Sequence, residues 1–458
     1  MKFWMDIMRD LEHVMDDYER CFDAWQAGGV DGMVLGPMVF NSSKLLPGLK
    51  RPDGAAPQAM TFDPDPKIYK RLGVAVPDKP EPMPERRALL EKMLTSAKDR
   101  GMTIMIFQPM AGMVSAPDGL YFQGRNLANE ADRDATCARM VDTFEHYPMV
   151  DGGVMDRPEW SYEIAPPHRI IHTLFEDLPP PLESLAARLG YDFGAMVAAK
   201  DRFEHTLHNL DARRVRLHGG GGLLDSIALF GSDPDLVAWF KFRVDAVTDY
   251  FRVVRASMAA NVSRPIKLGV GPRTPAFGLL SGCDFLELAG FMDILLTKHY
   301  FWQRGFDGLV GTVWRYAKVL CEWNPGLSER DGLTVVQSLF GLSLPGVEGI
   351  ADLESALTPE FYEQIVTQET ARALAVVDDA ERIVPWVDAG RFPHDGDPMS
   401  PDDLKRLLEA SQQMGLKRFL YHHHGNMTAG EWSVMSEMCG TRWTPTDDGW
   451  QPPDRYEL

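Results

Sequence analysis

Cysteine is scarce and scattered. Cys21, Cys137, Cys283, Cys321 and Cys439 make an odd count of five with no CxxC pair, which excludes a disulfide framework and a cysteine zinc site and predicts free thiols in the core. Long apolar runs are missing too, and none reaches the length needed to cross a bilayer. The opening stretch MKFWMDIMRDLEHVMDDYER turns acidic within ten residues and has neither the apolar core nor the small-residue cleavage site of a signal peptide, so a cytoplasmic protein is expected. Basic residues fall short of acidic ones, 47 against 66, for a net charge of −19. That balance argues against a nucleic-acid backbone or an anionic membrane as the main partner and fits an acidic solvated surface. No GxGxxG follows the first apolar run and no GxxxxGKS/T occurs anywhere, which removes the common dinucleotide and nucleotide loops.

What remains is the composition of an ordinary globular chain, 45% hydrophobic and 25% charged over 458 residues, enough to bury a sizeable core. Short apolar runs recur at 2–8, 31–38, 102–109, 150–156, 265–271, 292–298 and 417–422. Helical patterns such as 10–25, 85–100 and 132–147 stand between them, closed by glycine or proline. This βα alternation predicts a parallel sheet. Seven runs, with an eighth concealed in a helical block, predict an α/β fold, a (β/α)8 TIM barrel formed as a single domain over 1–458. Mainly helical insertions in the βα loops are expected at about 179–261 and 303–385. The HGGGG at 218–222 follows helix rather than strand and reads as a helix breaker. Ser400-Pro401 with Asp403, and Thr428 with Glu431, mark two late helix starts.

In such a barrel the residues just past each strand share one mouth. The stretch VDGGVMDRPEWSYEI (150–164) reads as a buried strand ending in an active-site loop, with Asp156 and Glu159 where catalytic carboxylates would stand. The same rule gathers Asp6, Asn41, Gln108, Arg273, Lys298, His299, Tyr300, Trp302, His422, His423, His424 and Asn426. Acids beside aromatic and amide groups suit a sugar site, where one carboxylic acid protonates the leaving oxygen and a second carboxylate attacks or activates water. Glu159 is the expected general acid, its neighbours Pro158 and Trp160 offering desolvation, and Asp156 its orienting partner. Asp6 and Glu322 compete for the second carboxylate, although Glu322 also reads as the end of a helix. Trp160, Lys298, His299, Tyr300, Trp302, His422, His424 and Asn426 are the expected substrate contacts. An alternative set, Glu159, His299, His422 and His424, has the donors for zinc or manganese, with His422 and His424 on one strand face and His423 on the other. The HxH of amidohydrolase-type metallo-barrels is missing from the first strand.

The DGGVMDRPEW strand end, the long helix containing WFKFRVDAVTDYFRVV before PIKLGVGP, and the closing RFLYHHHGN unit together resemble the loose group of bacterial glycoside-hydrolase-like TIM-barrel proteins. The resemblance implies a carbohydrate or related polyhydroxy substrate, small or oligosaccharide, and carboxylate catalysis without a cofactor, with Glu159 at the acid/base position after the fourth strand. Pro158 stands where those families carry Asn, and LLTKHYFW has no glutamate nucleophile. A metal-dependent lyase, isomerase or hydrolase and a non-catalytic sugar-binding barrel are the other two readings, and a homo-oligomer is left open.

Overall fold

The computed structural model describes residues 1–36, 62–79, 84–110, 127–156, 158–164, 173–301, 308–355, 357–390, 398–446 and 449–455. Asn41 and Trp302 lie outside them. Eight parallel strands run β1 (Lys2–Asp6), β2 (Val30–Leu35), β3 (Thr103–Pro109), β4 (Gly152–Asp156), β5 (Lys267–Val270), β6 (Ile294–Leu295), β7 (Trp386–Asp388) and β8 (Arg418–His422). They pair in the order β6-β5-β4-β3-β2-β1-β8-β7. The ring closes between β6 and β7 through parallel bridges Leu295–Ile383 and Lys298–Trp386, with Trp386 N on Thr297 O at 2.8 Å and His299 N on Trp386 O at 2.9 Å. The fold is thus the expected α/β barrel. The concealed strand is β7, three residues of WVD directly after Pro385.

Helices cover the outside of the ring. The pattern at 10–25 is divided into Leu11–Asp16 and Tyr18–Gly28, broken at Asp17. Between β4 and β5 lie helices Pro181–Leu189, Phe193–Leu207, Ala212–His218, Leu223–Phe230 and Pro234–Asn261, and the four glycines join the third to the fourth. Ser400 caps helix Pro401–Gln413 by accepting from Asp403 N, and Thr428 with Glu431 forms a reciprocal capping box. Each satisfies backbone donors that a helix start would otherwise leave open. Four of the five cysteines are buried free thiols and Cys321 is half-buried.

Alternation along the strands separates two cores. One set of side chains fills the barrel, including Trp4, Val34, Phe107, Val154, Leu296 and Leu420. The other set, such as Phe3, Ile104, Met155, Leu268, Val387 and Phe419, packs against the helices. Because successive side chains point to opposite faces, this parity fixes which strand-end residues look into the barrel. Gly152 shows how tightly the ring is drawn: a Cβ there would stand 1.8 Å from Lys267 O on the neighbouring strand, so the DGG of the fourth strand is a close approach of two backbones.

Among the described residues no helix is long and apolar enough to cross a membrane.

Candidate active site

Extending the inward parity by one residue past the apolar layer gives Asp6 on β1, Asp156 on β4, Lys298 after β6, Asp388 on β7 and His422 on β8. Three carboxylates, an ammonium and an imidazole therefore crown the C-terminal end of the barrel, the end where barrel enzymes carry their chemistry. Lys298 Nζ lies 3.2 Å from Asp156 Oδ1, and the Asp156 side chain is 18% exposed, the most open of the three acids. His422 Nδ1 is 2.5 Å from Asp6 Oδ2, and its Nε2 faces Asp388 Oδ2 at 3.9 Å. Asp388 Oδ1 accepts from Gly390 N at 2.6 Å. The Trp386 ring sits beneath, 4.9 Å from the His422 ring and nearly perpendicular to it, and Phe107 meets the same Trp386 ring edge-on at 6.2 Å. Tyr300 shares this interior, its ring 6.1 Å from that of His422.

Asp6 is fully buried and serves as the hub. Its Oδ2 contacts His423 Nδ1 at 2.6 Å as well as His422, and its Oδ1 accepts from Met8 N at 2.7 Å. Burial alone would raise the Asp6 carboxyl, but His423 and His422 outweigh it and hold the group well below the usual carboxylate range. Arg9 Nη1 lies 2.5 Å from His423 Nε2, its nearer ring nitrogen, and 3.4 Å from Nδ1. A guanidinium only donates, so Nε2 accepts and the ring proton is assigned to Nδ1, where it points at Asp6.

The expected site residues separate into those that meet at this crown and those that do not. Asp6, Asp156, Lys298, Tyr300 and His422 meet there. His299, one position from Lys298, takes the opposite parity, lies against Phe301 and is completely buried, with no partner among the described residues on either ring nitrogen; burial pushes it down to about 3. Gln108 likewise follows the inward Phe107 and takes the outward parity. Trp160 donates its indole N–H to Arg243 O at 2.9 Å and packs on Phe242, which turns it toward the helix layer. Glu159 is gripped through both oxygens by Arg273, with Nε on Oε2 at 2.7 Å, and both side chains are almost wholly buried. Glu322 is an exposed residue in the last turn of helix Leu309–Trp323. That helix starts near the crown, where Leu309 N bonds Tyr300 O, so Glu322 stands about 20 Å further along the axis from Leu309.

The three histidines do not alternate as a continued strand would. β8 ends at His422 and the chain turns at once into a short 3-10 helix, His424–Asn426. His422 and His423 therefore converge on Asp6, while His424 Nδ1 binds Asp10, itself held by Arg455 and, at 2.9 Å, by His13. Asn426 is buried in the same turn. The metal set Glu159, His299, His422 and His424 is consequently spread over an Arg273 pair, the helix layer, Asp6 and Asp10. A different trio, Asp6, His422 and His423, does bring its ligand atoms within 4.8 Å of one another.

Asp388, Trp386, Arg9 and Asp10 were absent from the residues expected by sequence. A signal for the first two exists. Trp4-Met5-Asp6, Val154-Met155-Asp156 and Trp386-Val387-Asp388 share one pattern: an apolar residue facing in, one facing out, and an acid facing in at the strand's end. Leu296-Thr297-Lys298 and Leu420-Tyr421-His422 repeat it with other polar groups.

These features define a (β/α)8 barrel with an acid-rich crown. No family model matches the chain, and no curated protein sequence matches it. Among solved structures its fold is similar to the PgaB (BpsB) glycoside hydrolase domain from Bordetella bronchiseptica, at 12% identity and a TM-score of 0.50, over 95% of this chain and 98% of that one. It is also similar to the polyextremophilic β-galactosidase from the Antarctic haloarchaeon Halorubrum lacusprofundi, at 13% identity and a TM-score of 0.50, over 96% of this chain and 57% of that one. At such identities the likeness is one of fold.

Proposed function

We propose that this chain is a glycoside-hydrolase-like enzyme that binds a carbohydrate or related polyhydroxy substrate at the crown and acts on it by carboxylate chemistry. The observation that carries the reading is the inward ring of Asp6, Asp156, Asp388, Lys298 and His422 at the C-terminal ends of five strands. The two similar structures, a glycoside hydrolase domain and a β-galactosidase by their descriptions, agree with it. Asp156, beside the Lys298 ammonium and open to the mouth, suits the carboxylate that stabilises or attacks a sugar carbon bearing developing positive charge. Asp388 suits the group that passes a proton to the leaving oxygen and recovers one from water. Asp6 is fully committed to two histidines and Met8, which makes it the post that orients His422. In this reading Glu159 holds Arg273 in place instead of reacting.

The test is release of nitrophenol from a panel of nitrophenyl glycosides and of reducing ends from polysaccharides, with Asp156→Asn and Asp388→Asn beside the wild type. Turnover should fall at least 100-fold in each, the range expected for a lost acid or base, with sugar binding retained. Wild-type binding without any turnover would instead make the chain a sugar-binding barrel, and unchanged turnover in Asp156→Asn would remove that residue from the chemistry.

The Asp6, His422 and His423 trio supports a second reading, a divalent cation held in place of the shared protons. Arg9 counts against it, because its donation to His423 Nε2 leaves Nδ1 carrying a proton where a metal needs a lone pair. One equivalent of zinc or manganese found by elemental analysis, and lost in Asp6→Asn, would establish that reading.

A further inference from the structure

The parity that builds the crown also acts at the opposite end of the barrel. Stepping back by two from the inward Met105 and Leu420, and by one from the outward Leu268, places Thr103, Arg418 and Lys267 inward at the N-terminal ends of β3, β8 and β5. With the inward Ile294 they line a cavity of about 880 Å³ in the floor of the barrel, a volume usual for small-molecule sites. The Trp4 ring, laid over Gly32, forms its inner wall. Whereas the crown gathers acids, the floor is lined by four cations, Arg255, Lys267, Arg382 and Arg418, against three acids, Asp293, Asp379 and Glu381. That local surplus of positive charge stands in a chain of net charge −19.

Partners decide which of these charges remain available. Arg255 Nη1 lies 2.6 Å from Asp293 Oδ2, and Arg418 is held by Asp31 at 2.6 Å and by Glu381. Arg382 is bound differently. Its Nε donates to Asp293 O at 3.2 Å and its Nη2 to Ala289 O at 2.5 Å and Met292 O at 2.8 Å. Carbonyl oxygens fix this guanidinium without neutralising it, and the N–H groups left over are both on Nη1. Lys267 is exposed, and its ammonium has no partner among the described residues. The remaining acid, Asp379, accepts from Glu381 N at 3.0 Å. One pinned and one free cation therefore face the cavity. Because Nη2 is used up, Arg382 cannot present the paired N–H edge that grips a carboxylate through both oxygens, so charge decides the match. A phosphate monoester brings nearly two negative charges and three acceptor oxygens. We infer that the floor cavity is a second binding site, which takes a small molecule by its phosphate monoester group, held between the Lys267 ammonium and Arg382 Nη1.

The experiment is isothermal titration calorimetry of the full chain with phenyl phosphate and benzoate, neither of them a carbohydrate, so that the outcome is separate from the reading of the crown. The wild type should bind phenyl phosphate with a Kd of about 1 mM or tighter, and benzoate about ten-fold more weakly. Lys267→Met and Arg382→Met should each weaken phenyl phosphate about ten-fold or more, the loss expected when one charged hydrogen bond is removed. Lys298→Met, which removes the ammonium of the crown, should bind it as the wild type does. Lys267 has no partner to lose, so its variant should fold; should Arg382→Met fail to fold, because its carbonyl bonds are lost as well, Lys267→Met decides alone. A wild type that does not bind phenyl phosphate, or binding that is unchanged in Lys267→Met, would overturn the site. Benzoate bound as tightly as phenyl phosphate would overturn the choice of a phosphate group, and binding lost in Lys298→Met but kept in Lys267→Met would place the anion at the crown instead.

Discussion

Replacing Glu159 by glutamine separates a structural carboxylate from a catalytic one. The Glu159 and Arg273 side chains are 3% and 1% exposed and meet through both carboxylate oxygens. Glutamine keeps the shape but removes the negative charge, leaving a buried guanidinium facing a neutral amide. Breaking a buried pair by removing one partner costs about 3–5 kcal/mol, and because glutamine still offers one acceptor oxygen the lower end, about 3 kcal/mol, is the expectation. Urea denaturation followed by circular dichroism should show that loss, with the midpoint lowered and the slope unchanged. The double variant Glu159→Met with Arg273→Met, which removes both charges together, should recover most of it. Turnover per folded molecule should stay within several-fold of wild type. A Glu159→Gln protein as stable as wild type but without turnover would refute this reasoning and restore Glu159 as the reacting acid.

Two further outcomes can be measured without a substrate. Burial raises the Asp142 carboxyl from 3.8 to about 6, with bonds from Tyr69 and Asp65 N opposing. The folded chain therefore keeps a proton that the unfolded chain releases, and the resulting stability is full below about pH 4 and lost as pH rises through about 6, at most about 3 kcal/mol. Asp142→Asn should flatten that fall in denaturation series run between these pH values; a variant with an unchanged pH profile would exclude Asp142 as its source. Arg455 reaches Asp10, which is 1% exposed, so Arg455→Met should destabilise the chain by about 1–3 kcal/mol by leaving that acid short of a partner. A melting temperature equal to wild type would show that His13 and His424 suffice.

The barrel was legible because its signal is repeated: each apolar run followed by a polar break announces one strand, and seven of these were evident. β7 escaped because its Trp386-Val387-Asp388 stands at the end of a long helical block and directly after Pro385. The crown was legible in part for a related reason. Parity governs residues on a strand, so Asp6, Asp156, Lys298 and His422 follow from it, and the same rule separates His299 from Lys298. It ceases once the strand ends. Glu159, three residues past Asp156, is directed by Arg273, 114 positions away in sequence, and the His424 ring by Asp10, 414 positions away. Long-range partners of that kind leave no local trace. Trp160 illustrates the same limit, since its indole N–H is claimed by Arg243 O from a helix that begins at Pro234.

The pairing of β1 with β8 has a consequence for how the protein comes into being. Asp6 and His422 are 416 residues apart. At ordinary translation rates of 5–20 residues per second, about 20 to 80 s separate the synthesis of the two halves of this contact. During that interval β1 can align with β2, but its other edge has no strand to meet, and Asp6 has neither of the histidines that keep it charged. A ribosome that stops anywhere before residue 418 releases a chain without β8, and so without the His422 that stands between Asp6 and Asp388. The Asp6–His422 contact is thus completed only after β8 has been made, and nascent chains that stop short of it should be silent in any assay that depends on that contact.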